Sequence, residues 1–532
     1  MNKNKKISLF QLVMLALGSL IGSGWLFGSW EATRVAGPAA ILSWLIGGLI
    51  IGSIAYNYVE VGTMFPESGG MSKYAQYSHG SFLGFIAAWA NWVSLITIIP
   101  IEAVAAVQYM SSWPWAWAHW THGFLAHGSV STSGLLVVFA IIIVFTLLNY
   151  WSVSILTHFT SLISIFKIGM PLLTIILLTA SGFHPANYGT SWHQFFPYGT
   201  APVLTATSVA GIIFSFNAFQ TVINMGSEIE NPKKNIERGM FLSLLISGAI
   251  YVVLQSTFIT SMPASALVHG WHGLNFNSPF ADLAILLGIH WLSVLLYMDA
   301  FVSPFGTGVS FVASTARALY AMAGNHHLPK ALARLNLKYG TPRIAMVVSA
   351  VLSMVMVSIF RSWSLLATVL STATLIAYLT GPVTAVSLRH IGSRLIRPIR
   401  LKHLGFMAPF SFILASLAIY WAKWPTTIEV IVIILLGLPI YFFYEWKLHF
   451  KETKKAFGAS LWLVTYLIFI SIMSYIGGQP FNGLNWIHYP WDQLIIAIAS
   501  YGFYRWGVRS AIVTADFKAA EKLNQKADQQ LN

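Results

Sequence analysis

The residues best placed to do chemistry are one glycine-rich run and three charges set in apolar surroundings. Gly18 to Trp30 reads GSLIGSGWLFGSW inside the first long apolar segment, and Gly18, Gly22, Gly24 and Gly28 interrupt what would otherwise be an unbroken membrane helix. A glycine costs a helix interior about 1 kcal/mol against alanine. Backbone left unpaired in lipid costs more, so non-helical backbone at membrane depth is tolerated where it lines a cavity or is buried in protein. The run therefore reads as half of a substrate site, the alternative being close helix packing through small residues. The charges are Lys167, near the middle of the fifth apolar segment, with Glu102 in the third and Asp299 in the eighth. An ionisable group at such depth is a functional candidate by default. For Lys167 the reading is proton exchange during a transport cycle, and the alternatives are a static ion pair or a side chain snorkelling to the interface. Glu102 and Asp299 could pair with Lys167, relay protons or select a cationic side chain, and a purely structural pair or a solvated position fits each equally.

The elements that must position these groups follow from composition. Of 532 residues, 56% are hydrophobic and only 9% charged, against roughly 25% charged in soluble domains. This is a polytopic membrane protein. The net charge of +14 is spread over short segments between apolar runs, with no basic stripe or stacking platform, so no nucleic-acid partner is expected. The absence of cysteine excludes disulfides, thiolate metal sites and cysteine nucleophiles. His119, His122 and His127 are spaced too loosely to favour a metal site. No metal or cofactor is expected. The start, MNKNKK before an apolar run, lacks a cleavage motif and is read as leading into a retained first helix.

About fourteen segments reach the roughly 20 apolar residues that a bilayer core requires. Lys and Arg cluster at 233–238, 330–343, 389–402 and 447–455, whereas 113–132, 181–200 and 261–279 contain none. Because basic loops stay cytoplasmic, both termini are expected inside a cell membrane. Only Arg361 and Lys423 fall at outer ends. Glu31 and Arg34, near the outer end of span one, are a local gate or mark the water boundary. The sixth span is interrupted by Ser215, Phe216, Asn217, Ala218, Phe219 and Gln220. Its position corresponds to that of the broken first span if spans one to five and six to ten are two halves of opposite topology. Paired interrupted helices in inverted halves point to a transporter site near the bilayer midplane.

If span one unwinds at Gly22 to Gly24, the amides of Ser23, Gly24 and Trp25 open its outer half-helix, whose positive dipole end suits a carboxylate. The carbonyls near Leu20 and Ile21, with those of Phe214 to Phe216, would accept from an ammonium. Together they fit an α-amino acid. Trp25, Trp30 and Phe216 are occluding rings or simply packing. Asn217 and Gln220, with neighbours on spans three and eight, are the candidates for side-chain selectivity.

Several motifs carry a family resemblance: IGSGW at Ile21 to Trp25, AGP at Ala36 to Pro38, PESGGMSKY at Pro66 to Tyr74, GSEIENPKKNI at Gly226 to Ile236 and ARALYAMAGNHHLP at Ala316 to Pro329. The sequence resembles the amino acid, polyamine and organocation transporter superfamily. NYWSV at Asn149 to Val153, the Phe166, Lys167 and Pro171 set, and DAFVSP at Asp299 to Pro304 are most similar to the bacterial aspartate-proton symporter subgroup. The resemblance implies an all-α, LeuT-type core of five plus five inverted spans, broken in spans one and six. Residues 1–181 would form the first repeat, 200–390 the second, 405–508 four peripheral spans, and 509–532 a cytoplasmic tail. It also implies that Lys167 stands where sodium-coupled relatives bind sodium, its protonation tying span five to spans one and eight. Span six departs from the family in lacking a glycine within the FNAFQ run, which leaves aspartate, glutamate and neutral substrates such as glutamine open.

The expected function is proton-coupled amino acid symport by alternating access, with an amino acid, protons and membrane lipid as partners. An amino acid and amine exchanger is the alternative within the class. A sensing receptor would need a signalling domain or a longer cytoplasmic tail, and an enzyme would need a nucleophile and base or a metal cluster. Neither set is evident.

Overall fold

The computed structural model describes residues 6–66, 70–151, 154–217, 219–324, 328–336, 339–447 and 453–529. Parts of three sequence motifs, at 67–69, 152–153 and 325–327, and Ala218 of the span-six run lie outside the described residues.

The chain is almost wholly helical, because a backbone in lipid must satisfy its own polar groups. The first half runs α1 (Leu9–Leu20), α2 (Gly24–Ala36), α3 (Ala40–Met64), α4 (Met71–His79), α5 (Ser81–Met110), α6 (Thr132–Trp151) and α7 (Ser154–Ser181). The second runs α8 (Trp192–Phe195), α9 (Ala201–Val209), α10 (Ile212–Ser215), α11 (Phe219–Asn224), α12 (Pro232–Thr260), α13 (Pro279–Leu286), α14 (His290–Gly324), α15 (Arg343–Ile359), α16 (Trp363–Tyr378) and α17 (Thr380–Ile391). There follow α18 (Leu404–Tyr420), α19 (Thr426–Leu435), α20 (Leu438–Lys447), α21 (Thr453–Ile476), α22 (Trp491–Arg509) and α23 (Ala515–Gln529). The one sheet among the described residues is a hairpin of β1 (Leu125–Ala126) and β2 (Ser129–Val130) in a connecting loop. Its turn places His127 and Gly128 at positive φ.

Eight helical segments among the described residues are long and apolar enough to cross a bilayer, and α1, α15, α18 and the later part of α7 are shorter apolar helices. Leu136, Ile176, Leu245, Val351 and Ile468 stand exposed along these helices, as apolar side chains do where the solvent is lipid rather than water. Every predicted span has a helical counterpart, with differences of detail. Span eight begins at His290, ten residues later than expected, because α13 is a separate helix in the preceding loop. Span ten is two helices that meet at Leu379, and α4 and α23 add helices where connections or tail were expected.

The centre of the molecule is α5, nearly all of it buried despite Pro100 inside it. It packs against α14, α15 and α16, while α3 packs on α12 and α18. The end of the bundle that carries the N-terminus is tied by charge. Glu60, the last charged residue of α3, accepts from Arg389 Nε at 2.8 Å and from the Leu401 amide at 3.0 Å, with Arg397 Nε at 3.3 Å. Asn524 of α23 donates to the carbonyls of Met64 and Ile396, both at 3.0 Å, and accepts from the Ile396 amide at 2.8 Å.

Removing one partner of a buried ion cluster leaves the remaining charges uncompensated, a loss of about 3–5 kcal/mol when all are buried. Because the Arg389 side chain keeps 24% of its surface exposed, Glu60→Gln is expected to cost about 2 kcal/mol. The detergent-solubilised variant should therefore melt several degrees lower, and an unchanged melting temperature would show that the cluster contributes nothing to stability.

Candidate functional site

Span one stops being helical at Ile21. The last turn of α1 is closed by Ile21 N donating to Leu17 O at 3.0 Å, and Gly22 N turns back to Leu20 O at 2.9 Å. The chain restarts as α2 after Ser23, whose own side chain does not cap it. Instead the Ser23 amide donates to Glu102 Oε2 of α5 at 2.9 Å, and the indole Nε1 of Trp363 donates to Ser23 Oγ at 2.9 Å. The amides of Gly24 and Trp25 fall in the first turn of α2, where no carbonyl of the same helix can reach them. A carboxylate thus already sits at the positive end of the half-helix, and it belongs to the protein.

Gly22 is required by close approach. A Cβ there would lie 2.4 Å from Glu102 Oε1 and 3.1 Å from Thr307 Oγ1. At Gly24 it would lie 2.5 Å from Ser215 Oγ and 3.4 Å from the Phe214 ring, so the start of α2 lies directly against α10.

Span six is broken twice. The first break is at Gly211, which adopts φ +75°, and a Cβ there would meet Trp363 Cη2 at 2.4 Å. The glycine missing from the FNAFQ run is thus found one turn earlier. The second break follows α10, at Phe216 and Asn217. Phe214 faces the opening of α2, whereas the Phe216 ring packs with Trp44 and Tyr251, at centroid distances of 6.0 and 5.8 Å, against Gly48 and Gly248. Asn217 and Gln220 form a cluster of their own. Gln220 Nε2 donates to Asn91 Oδ1 at 2.7 Å, and the Tyr378 hydroxyl donates to Gln220 Oε1 at 3.1 Å and to Asn217 Oδ1. These two residues join α11 to α5 and α16 and are already engaged with one another's partners, rather than grouped around Ser23.

Lys167 is buried, and its Nζ donates to Thr307 Oγ1 at 2.6 Å and to Gly18 O at 3.2 Å. One ammonium therefore joins α7 to the end of α1 and to α14. Asp299, Ser303 and Thr307 recur every four residues and share one face of α14. Ser303 Oγ donates to Asp299 Oδ1 at 2.6 Å. Glu102 Oε1 and Asp299 Oδ2 are both buried without a hydrogen-bond partner among the described residues.

On the side away from the N-terminus the break is covered. Trp25 packs on Phe280 of α13 with ring centroids 5.5 Å apart, and Trp30 Nε1 donates to Leu274 O at 3.1 Å. Arg34 lies over the Trp30 ring at 4.9 Å and 3.4 Å from Glu31.

Spacing alone could have pointed to Thr307, since it continues the Asp299 and Ser303 stripe. Nothing local marks Trp363, whose place beside the break depends on how α16 packs, or Tyr109, which α5 brings against Phe27 of α2.

The amino acid permease family model matches residues 7–468. A glutamate/serine transporter of Bacillus subtilis is 50% identical over 523 residues, 98% of this chain and 97% of that protein. An aspartate-proton symporter of the same organism is 35% identical over 516 residues, 95% and 96% of the two chains. A branched-chain amino acid permease, also of Bacillus subtilis, is 23% identical over 83% of this chain and 93% of the relative. With its helical architecture, its two interrupted spans and a family match running through both of them, the chain is a multi-pass membrane transporter that belongs to the amino acid permease family.

Proposed function

We propose that this permease is a proton-coupled amino acid symporter of the cell membrane, with both termini cytoplasmic. Its substrate carboxylate binds the amides of Ser23, Gly24 and Trp25. Carbonyls at the end of α1, near Leu20 and Ile21, and those of Phe214 to Phe216 receive the ammonium. The observation that carries this reading is the Glu102 carboxylate at 2.9 Å from the Ser23 amide. A half-helix opening that accepts one carboxylate has the charge and the donor for another. Substrate and Glu102 then compete for the same N–H, so loading the site frees the glutamate, and a freed carboxylate at that depth favours taking a proton.

Lys167 is the second coupling group. Its ammonium bridges Gly18 O and Thr307 Oγ1, and loss of its proton would leave a neutral amine and strip both contacts of their charge assistance, loosening α1 from α7 and α14. Residues 1–181 and 200–390 act as the two inverted repeats around the site, with 405–508 as added spans. The 50% identity with a protein named for glutamate and serine, over nearly the whole of both chains, favours these two amino acids over aspartate alone.

Uptake of labelled glutamate and serine into proteoliposomes should exceed background and rise with an inward proton gradient. Gradient-independent exchange of internal for external amino acid would instead make the protein an exchanger. Lys167→Ala should abolish proton-driven accumulation while sparing exchange across the same membrane, and undiminished accumulation would remove Lys167 from coupling. Gly22→Ala should lower uptake at least roughly tenfold, since its Cβ enters the space that Glu102 Oε1 occupies. Gly52→Ala is the matched control, because a Cβ there meets nothing within 4 Å and should leave uptake unchanged.

A further inference from the structure

Three polar atoms just beyond the break have no use in the mechanism above. Trp25 Nε1, the Tyr109 hydroxyl and Asp299 Oδ2 are each buried and have no hydrogen-bond partner among the described residues. They come from α2, α5 and α14. The Trp25 indole lies beside the Asp299 carboxyl, within reach of a long hydrogen bond to it, and Tyr109 lies close enough to feel that charge, with the Phe280 backbone facing its hydroxyl. Rings fix the positions on both sides: Tyr109 packs edge-on to Phe27 at 5.3 Å and to Tyr297 at 6.3 Å, and Trp25 packs on Phe280 at 5.5 Å. Ser303 occupies only the other oxygen of Asp299. Buried polar groups are almost always paired, so three groups from three helices that leave hydrogen-bonding capacity over, in a cluster that includes Trp25 of the first turn of α2, have capacity for a polar ligand.

We infer that Trp25, Tyr109 and Asp299 form a subsite for an oxygen atom on the side chain of the transported amino acid. The inference rests on the amino acid transport reading and extends it to side-chain choice. Two donors and one carboxylate suit a hydroxyl, which donates to Asp299 Oδ2 and accepts from the indole N–H or the phenol. They also suit a carboxylate, which accepts from both donors, provided that Asp299 carries a proton and donates it, since two ionised carboxylates at contact repel. The charged or titratable groups around Asp299 are Glu102 and Tyr109 on α5, Lys167 on α7, Tyr297 on α14 and, beyond Tyr109, Asp282 on α13. Lys167 is the one cation among them, so a substrate carboxylate brings a third acidic group to a site with two, and acid conditions favour its binding more than that of a hydroxyl. Asn217 and Gln220, satisfied by Tyr378 and Asn91, are then structural, and side-chain choice lies on α2, α5 and α14.

The test is uptake of labelled serine, alanine and glutamate by proteoliposomes at an external pH on either side of neutrality. The unaltered protein should prefer serine to alanine by roughly tenfold, the worth of one well-made buried hydrogen-bond set. Tyr109→Phe and Asp299→Leu should erase most of that preference while alanine uptake persists, which also shows that the variants are folded. Asp299→Asn, isosteric and able to donate without a proton, should keep glutamate uptake and lose its extra stimulation by acid relative to serine. An unchanged serine-to-alanine ratio in Tyr109→Phe and Asp299→Leu overturns the subsite, as does an equal loss of all three substrates in Tyr109→Phe and Asp299→Asn. No flux of any amino acid through the unaltered protein overturns the transport reading and the subsite with it.

Discussion

The molecule depends on one unsatisfied piece of backbone and on what satisfies it. A helix broken in the middle of a membrane exposes amides and carbonyls that water cannot reach, and each must find a partner in the protein. Here the Ser23 amide finds Glu102 and the Ser23 hydroxyl finds Trp363. These contacts explain why α5 is so deeply buried, since it must bring a carboxylate to the midpoint of span one. They also explain why Gly22 and Gly24 carry no side chain, because Glu102, Thr307 and Ser215 occupy the space. The polar contacts that close the break are made by side chains from α5 and α16. A site made of backbone is suited to the groups all amino acids share.

Charge is treated in the same way along α14. Asp299, Ser303 and Thr307 form a line of polar side chains along one face of the helix, and Lys167 reaches its inner end. Two carboxyls and one ammonium are held on three different helices, so a change in the protonation of any one alters the balance of forces between helices rather than within one. Coupling of a proton to movement needs that arrangement. At the N-terminal end, by contrast, Glu60, Arg389 and Arg397 form an ion cluster with several backbone partners, which fixes α3 to the loop after α17.

Much of the fold was legible because lipid imposes simple rules. Long apolar runs became helices, and the glycines of Gly18 to Trp30 and the polar run after Phe214 became breaks. The site was legible only in part. Lys167, Glu102 and Asp299 stood out because charges are rare at that depth. The partners that give them meaning, Thr307, Ser215, Trp363 and Tyr109, are ordinary residues whose relevance comes from packing between segments far apart in sequence. The partners of Asn217 and Gln220 were equally hidden: a polar pair beside a break invites a ligand, and in this structure Tyr378 and Asn91 arrive from α16 and α5 to bond it. Gly211 was overlooked because one glycine in an apolar run carries no local mark of a left-handed turn.

The clasp made by Asn524 has a consequence for how the protein comes to exist. Its two carbonyl partners, at Met64 and Ile396, lie 460 and 128 residues earlier in the chain. Synthesis runs from the N-terminus, and segments pack as they emerge. The spans that hold Met64 and Ile396 are thus made well before the helix that fastens them, and that face can be sealed only once α23 has been made. A helix made hundreds of residues later completes a contact begun by the second membrane span.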